Sequence, residues 1–428
     1  MADPALLTDA ARYLEHWLDF RQRTMRVPGL VAALTADGNP LLHRAYGLSD
    51  VERGEAMSPD AVVPIASHSK TFTTTIVLRL VEQGVLRLDD PLHRWLPDVP
   101  AGLREVRVGE LLSHSSGLSR DSGDSDFWQL DREFPDAAAL LDAAAAVLPR
   151  NDRFKYSNIG FGLAGLVIEA ATGTSYDAAA RAQVLDVVGL ADTSTATGGR
   201  TCAVGYTSQA GGAARTPLPV PAAASLDPAT GYCSTALDLC RFGTALCGDE
   251  LLSADSGRLM RHVVWPGEQG DQDYCLGLMH ATIGEREVYG HGGSYPGFQT
   301  STRFVVEDNL VAVILTNAID GPASELTRSM LSIVDLAQGC EPGGADVATG
   351  RYTSLWGTVD LVRFGSALMA FDPELPDPVE RRIELAPQDD GTWIIKRSSG
   401  FGSPGEQLEL SEEGCRLAGA TLRRELSW

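Results

Sequence analysis

The chain holds 35 basic residues, and only three of them, Lys70, Lys155 and Lys396, are lysines. Arginine serves wherever a surface positive charge is enough, but it keeps its proton at every accessible pH, whereas a desolvated lysine can give its proton up. Lys70 stands in Ser67-His68-Ser69-Lys70, so on a helix its side chain shares a face with that of Ser67 one turn earlier. A hydroxyl beside an amine that can be neutral is a nucleophile beside its base. Farther along, Tyr156 and Asn158 flank Ser157, and Tyr289-Gly290-His291-Gly292-Gly293-Ser294 ends a strand in glycines that let another chain approach closely. Taken singly, Tyr156 reads as a core tyrosine, Asn158 as a helix N-cap and His291 as a satisfied strand histidine. As a set, Ser, Lys, Tyr, Asn and His have the parts needed for nucleophilic attack and proton transfer.

Regular elements must bring these residues together. From Ser67 to Gln83, Phe72, Ile76, Val77, Leu80 and Val81 recur at helical spacing before Gly84, which predicts a helix with Ser67 and Lys70 on its first turn. Phe154 to Asn158 opens a second apolar helix that ends near Thr172-Gly173. Gly29 to Leu34 and Leu41 to Tyr46 predict a hairpin, and Phe298 to Val305 and Leu310 to Thr316 two late strands, followed by a helix from Ser324 to Leu336. The N-terminal stretch predicts an amphipathic helix capped near Thr8, with Leu14, Trp17 and Leu18 on its buried side. Early and late strands imply one sheet flanked by helices. The acidic loop 119–136 and the Gly/Ala/Pro-rich loop 197–231 are candidate lids or pocket walls. Beyond a linker at 338–346, short segments between Asp/Gly/Pro turns predict a small all-β unit.

SxxK, then YxN, then HxG, in this order and at about these separations, resembles the serine β-lactamase and penicillin-binding-protein superfamily. The class C β-lactamase-related serine hydrolases, with their D-aminopeptidase, DD-peptidase and esterase branches, are most similar. Leu86-Arg-Leu-Asp-Asp-Pro91, Leu111-Leu-Ser-His-Ser-Ser-Gly-Leu118, Cys233-Ser-Thr-Ala-Leu-Asp-Leu239 and the segment Gly290 to Phe298 carry the resemblance further. It implies an α/β (α+β) fold, an antiparallel sheet flanked by helices with an all-helical subdomain, over residues 1–340. For residues 347–428 it implies a lipocalin-like β-barrel. It also implies an acyl-enzyme on Ser67, with Lys70 and Tyr156 as a coupled acid–base pair. Asn158 would serve the lysine or a substrate carbonyl, and His291 would stand at the strand end. Backbone N–H groups of Ser67 and Ser294 would form the oxyanion hole beside Gly292 and Gly293. His68 and His114 are read as structural. Neither cofactor nor metal is implied.

Composition removes other classes. A formal net charge of −22 repels phosphate backbones and anionic membranes, so the expected partner is a small-molecule or peptide substrate rather than nucleic acid or lipid. Homo-oligomerisation stays open. Seven cysteines, an odd number without CxxC spacing, fit reduced thiols. With no basic segment leading an apolar one at the N-terminus, they point to the cytoplasm. No GxSxG, HExxH or Walker loop occurs.

Sites of the resembled family usually hold Lys-Thr/Ser-Gly where this chain has His291-Gly292-Gly293. That removes an ammonium and a hydroxyl suited to a carboxylate, and the form resembles D-aminopeptidases. The expected reaction is cleavage of amide or ester bonds in small, D-amino-acid-containing peptides. A carboxylesterase and a cyclising thioesterase or transacylase are the alternatives, ahead of β-lactamase or DD-carboxypeptidase activity. Asp121, Asp124 and Asp126 could supply countercharge for a substrate amine beside Phe127-Trp128, or lie on a solvated surface loop.

Overall fold

Two apolar segments, Gly29–Ala36 and Asn39–Asp50, fold back on each other through Asp37 and Gly38, both at positive φ (49° and 74°). Such a two-residue turn matches the natural twist of the paired strands. The computed structural model describes residues 3–425 apart from 196–202, 210, 211, 213, 268–271, 345–348, 391, 399–401 and 412. Within these, the contacts divide the chain into two compact units, Val27–Ser324 and Met1–Arg26 with Glu325–Trp428.

The unit Val27–Ser324 is built on an eight-stranded antiparallel sheet. Its strands run, edge to edge, Glu55–Ala56, Asn39–Asp50, Gly29–Ala36, Leu310–Thr316, Phe298–Val305, Arg286–Tyr295, Met279–Ile283 and Asp273–Tyr274. The late strands carry the bounds expected from sequence, and Leu310–Thr316 is buried at every position because it lies in the middle of the sheet. Helix Ala236–Cys247 packs on this sheet so closely that a Cβ on Gly243 would lie 2.7 Å from Val311 Cγ1. Cys240 in that helix is buried and its thiol pKa is pushed up to about 12 by burial, as expected of a small packing residue. None of the six described cysteines forms a disulfide, and Cys202 lies outside the described residues.

Helix Ser69–Glu82 runs through the interior of this unit, and Thr73, Thr74 and Thr75 are fully buried along with Phe72, Ile76 and Val77. Thr73 and Thr75 return hydrogen bonds to the carbonyls of Ser69 (3.0 Å) and Thr71 (2.8 Å), which satisfies their hydroxyls away from water. Gly84 follows the helix at φ 70°, as its sequence position required.

In the other unit, helix Pro4–Thr24 begins at Asp3 rather than near Thr8. The Asp3 carboxylate accepts from the N–H groups of Ala5 and Leu6, and Pro4 occupies the first turn where no donor is needed. Leu14, Trp17 and Leu18 are fully buried, as expected. Residues 350–424 form a closed barrel of eight antiparallel strands, Gly350–Ser354, Gly357–Phe364, Ala367–Phe371, Ile383–Pro387, Trp393–Ser398, Gln407–Leu410, Gly414–Leu417 and Ala420–Arg424. Tyr352 pairs with Arg424 and Thr353 with Arg423, so the first and last strands cover each other's edges. The first and the last two strands carry too little alternation to be read from sequence.

Arg351 and Asp360 form a bidentate pair (Nε to Oδ1 2.7 Å, Nη2 to Oδ2 2.8 Å) with side chains 4% and 0% exposed. Arg351 Cζ also lies 4.1 Å from the Phe20 ring centroid. Removing one partner leaves a buried charge unpaired. Asp360→Ala is expected to destabilise the protein by ~3–5 kcal/mol, and the Arg351→Met/Asp360→Leu double variant by much less. Chemical denaturation of both checks this, and equal losses would contradict it.

Candidate active site

The chain reaches Ser67 through a strained turn. Ala66 has φ 50°, a conformation few non-glycine residues adopt, and the short 3₁₀ turn Ala66–His68 then passes into the helix at Ser69. Ser67 therefore precedes the α-helix proper by two residues and stays half-buried, whereas Lys70 on the first turn is completely buried.

Three oxygens surround the Lys70 amine: Ser67 Oγ at 3.2 Å, Asn158 Oδ1 at 2.7 Å and the Ala229 carbonyl at 2.7 Å. The two nearer ones only accept. A neutral amine gives its two hydrogens to them and keeps its lone pair for the Ser67 hydroxyl; an ammonium donates to all three. Burial pushes the Lys70 pKa well below the usual lysine value, with the Asp121 carboxylate pulling it back up and Arg120 pushing it down. The Ala229 carbonyl comes from a π-type turn at Asp227–Gly231, so the end of loop 197–231 is a wall of the site.

Tyr156 donates its hydroxyl to Ser67 Oγ at 2.8 Å, and Lys70 Nζ lies 4.8 Å from its ring centroid. Burial raises its pKa to about 12, with the Ser67 hydrogen bond and Arg120 opposing the rise. At neutral pH it is a phenol that donates. Helix Asn158–Thr172 begins at Ser157, whose hydroxyl accepts from the Gly160 N–H at 2.9 Å. The cap is thus Ser157 and not Asn158, which leaves the Asn158 amide for the lysine.

Asp121 fixes that amide. Asn158 Nδ2 donates to Asp121 Oδ1 at 2.6 Å, and because a carboxylate only accepts, Oδ1 of the asparagine must face Lys70. Arg120 Nε closes the chain on Asp121 Oδ2 at 3.0 Å. Asp121 therefore does not face a substrate amine; it is buried behind Asn158. Asp124 and Asp126 pair with Arg132 on the surface, and Phe127 and Trp128 pack with Phe134 and Tyr295. The sequence offers only a faint signal for Arg120 and Asp121: they come shortly after the turn at Gly117, ahead of the exposed acidic run.

The HxG strand abuts the turn that carries Ser67. A Cβ on Gly293 would lie 2.2 Å from the Ile65 carbonyl oxygen and 2.4 Å from Thr300 Oγ1, so only glycine fits. Gly292 has room, with its nearest neighbour, Ser324 Oγ, at 3.4 Å from a built Cβ. Ser294 is exposed, and its hydroxyl accepts from Gln299 Nε2 at 2.9 Å. His291 is 2% exposed; Nδ1 contacts the Gly292 carbonyl at 2.6 Å and must carry the hydrogen, leaving Nε2 as a buried acceptor with no partner among the described residues. Burial holds its pKa well below the usual histidine value. His68 is likewise neutral, its pKa lowered to about 3 by burial and the Arg303 charge. His114 accepts the Ser157 N–H on Nδ1 at 3.1 Å and lies 4.3 Å, centroid to centroid, from Tyr156, so it positions the tyrosine.

Fold and site together define a class, an antiparallel sheet flanked by helices with an SxxK serine and a YxN tyrosine meeting at one hydroxyl. Residues 15–334 match the beta-lactamase family, and the chain belongs to it. Its superfamily is one of serine hydrolases. The chain is 31% identical over 330 residues to penicillin-binding protein 4 of Amycolatopsis lactamdurans, covering 71% of this chain and 84% of that one. It is 34% identical over 207 residues to esterase EstB of Burkholderia gladioli, covering 43% and 50% of the two. The D-stereospecific amidohydrolase of a Streptomyces species superposes with a TM-score of 0.64 at 25% identity, over 79% of this chain and 99% of that one. Among the described residues no helix is long and apolar enough to cross a membrane.

Asp121→Asn keeps an acceptor for Asn158 but removes the charge that favours the Lys70 ammonium. The Lys70 pKa should then fall further, so the acid limb of Ser67 labelling by a fluorophosphonate moves to lower pH. A limb that stays in place or moves upward would show that Asp121 does not act on the lysine.

Proposed function

We propose that the chain is a serine hydrolase that cleaves amide or ester bonds of small, D-amino-acid-containing peptides through an acyl intermediate on Ser67. The observation that carries this reading is the Ser67 hydroxyl held between a buried amine at 3.2 Å and a phenol at 2.8 Å. Lys70 takes the Ser67 proton as Oγ forms its bond to the substrate carbonyl carbon. The oxyanion forms at the backbone N–H groups of Ser67 and Ser294. As the carbon–nitrogen or carbon–oxygen bond breaks, the leaving group receives the Tyr156 proton, and the Lys70 ammonium restores the phenol. Water, deprotonated by the same pair, then releases the acyl group. Asn158 orients Lys70, while Gly292 and Gly293 keep the strand end close to the serine.

The name of the Streptomyces amidohydrolase supports D-configured amides, and EstB supports esters. Neutral His291 supports the same preference, because it supplies no cation at the strand end for the carboxylate of a β-lactam. Thiols without disulfides at Cys240, Cys275 and Cys415 support a reducing cytoplasmic setting.

Mass spectrometry after fluorophosphonate treatment is expected to place the label on Ser67, and Ser67→Ala to abolish it. Lys70→Arg should lower turnover at least ~10²-fold, nearly as much as Lys70→Ala, since a guanidinium keeps charge but cannot take a proton. Wild-type turnover in Lys70→Arg would move the base to Tyr156.

A substrate panel tests specificity. D-amino-acid amides and p-nitrophenyl esters are expected to be turned over at least ~10-fold faster than nitrocefin, the loss expected for one missing charge-assisted hydrogen bond. Brisk nitrocefin hydrolysis with inert amides and esters would overturn the substrate assignment while leaving the Ser67 chemistry in place.

A further inference from the structure

Arg120 differs in its exposure from the polar groups packed around the Lys70 amine. Its side chain is 66% exposed, while Lys70, Asn158, Asp121 and His291 are buried. Two contacts nevertheless hold the guanidinium: Nε donates to Asp121 Oδ2 at 3.0 Å, and Cζ lies 5.3 Å from the centroid of the Tyr156 ring. Its backbone is fixed as well, because the Arg120 carbonyl accepts from the N–H groups of Asn158 (2.8 Å) and Ile159 (3.2 Å). The pair with Asp121 uses Nε alone, and Asn158 occupies the other carboxylate oxygen. The two terminal nitrogens make no hydrogen bond among the described residues, which leaves a planar fork of four N–H donors on the guanidinium beside the Tyr156 ring.

The neighbouring basic groups offer nothing comparable. Burial drives Lys70, His114 and His291 toward their neutral forms. Arg303 is buried, with its terminal nitrogens on the Thr302 carbonyl (3.1 Å) and Gln272 Oε1 (3.1 Å). A cation that is exposed, oriented by Asp121 and stacked near the Tyr156 ring suits a planar anion, for which a guanidinium fork is matched in shape as well as charge.

We propose that Arg120 determines specificity by receiving a carboxylate of the substrate on its terminal nitrogens while Ser67 and Tyr156 engage the scissile carbonyl. Anion recognition thereby passes from the strand end, where His291 is neutral, to the loop that follows Gly117. The inference rests on the hydrolase reading and narrows it to acidic peptides whose carboxylate reaches Arg120; a β-lactam, whose carboxylate would lie at the strand end by His291, gains nothing from it. Preorganisation by Asp121 and the Tyr156 ring lowers the entropy lost on binding.

The test compares D-alanyl-D-phenylalanine with its C-terminal amide in the wild type, Arg120→Gln and Arg120→Lys. The wild type is expected to favour the free acid in kcat/KM, and Arg120→Gln to cut the acid-to-amide ratio at least ~10-fold, mainly through KM. Arg120→Lys should recover part of it. Arg120→Gln gives up the Nε bond to Asp121 but keeps an amide donor and the backbone bonds to Asn158 and Ile159, and circular dichroism of each variant checks that it folds. A ratio that favours the amide in the wild type, or stays the same in Arg120→Gln, overturns the proposal; equal losses on both substrates do so too, since Arg120 would then act only through Tyr156 or Asp121. Fluorophosphonate labelling separates the two readings. Labelled Ser67 with an unmoved ratio removes Arg120 alone, whereas an unlabelled wild type removes the hydrolase reading and this inference with it.

Discussion

Taking a lysine amine out of water is the constraint from which the rest of the site follows. An ammonium loses far more solvation on burial than an amine does, so a fully buried Lys70 is driven toward the form that can accept a proton. Burial without partners would be too costly even for the neutral amine. The Asn158 and Ala229 oxygens at 2.7 Å supply the acceptors, and their placement aims the remaining lone pair at Ser67.

Each partner imposes a further condition. Asn158 can present its oxygen only if its nitrogen is engaged elsewhere, which is the work of Asp121, and Asp121 in turn is balanced by Arg120. The Ala229 carbonyl can reach the amine only if loop 197–231 ends in a turn packed against the central helix, where the Pro228 carbonyl lies 2.6 Å from Thr73 Oγ1 and shares its hydrogen with the Ser69 carbonyl. Tyr156 stays protonated because it is desolvated, and so donates to the same hydroxyl that lies 3.2 Å from the Lys70 amine. Two groups with pKa values displaced in opposite directions meet at one oxygen, a division of labour that suits proton transfer in both directions.

Close approach is the second requirement. The strand that ends in His291-Gly292-Gly293-Ser294 lies against the Ile65 carbonyl, two residues before Ser67, and a single Cβ at Gly293 would separate them. The positive φ of Ala66 turns the chain at the same point. Backbone strain here is compatible with stability because the helix that follows is buried on all sides and the sheet strands beside it are central.

Much of this was legible in the residues themselves. Ser67, Lys70, Tyr156 and Asn158 were recognisable because an SxxK spacing needs only a helical turn, and YxN only a cap and a first helical residue, which are local geometries. The late strands and the Gly84 and Gly173 stops were readable for the same reason, since periodicity and glycine conformation are local. What the sequence left undecided depends on distant segments meeting. The Ala229 carbonyl carries no side-chain signature at all, and Asp121 looks in sequence like the solvated Asp124 and Asp126 until the fold buries it on Asn158. The strands Gly350–Ser354, Gly414–Leu417 and Ala420–Arg424 became strands because closing a barrel pairs the first with the last, a non-local gain that no short window contains. Residue identity thus determined which groups could react, and tertiary structure decided their protonation states, because desolvation is set by everything packed around a group rather than by its neighbours in the chain.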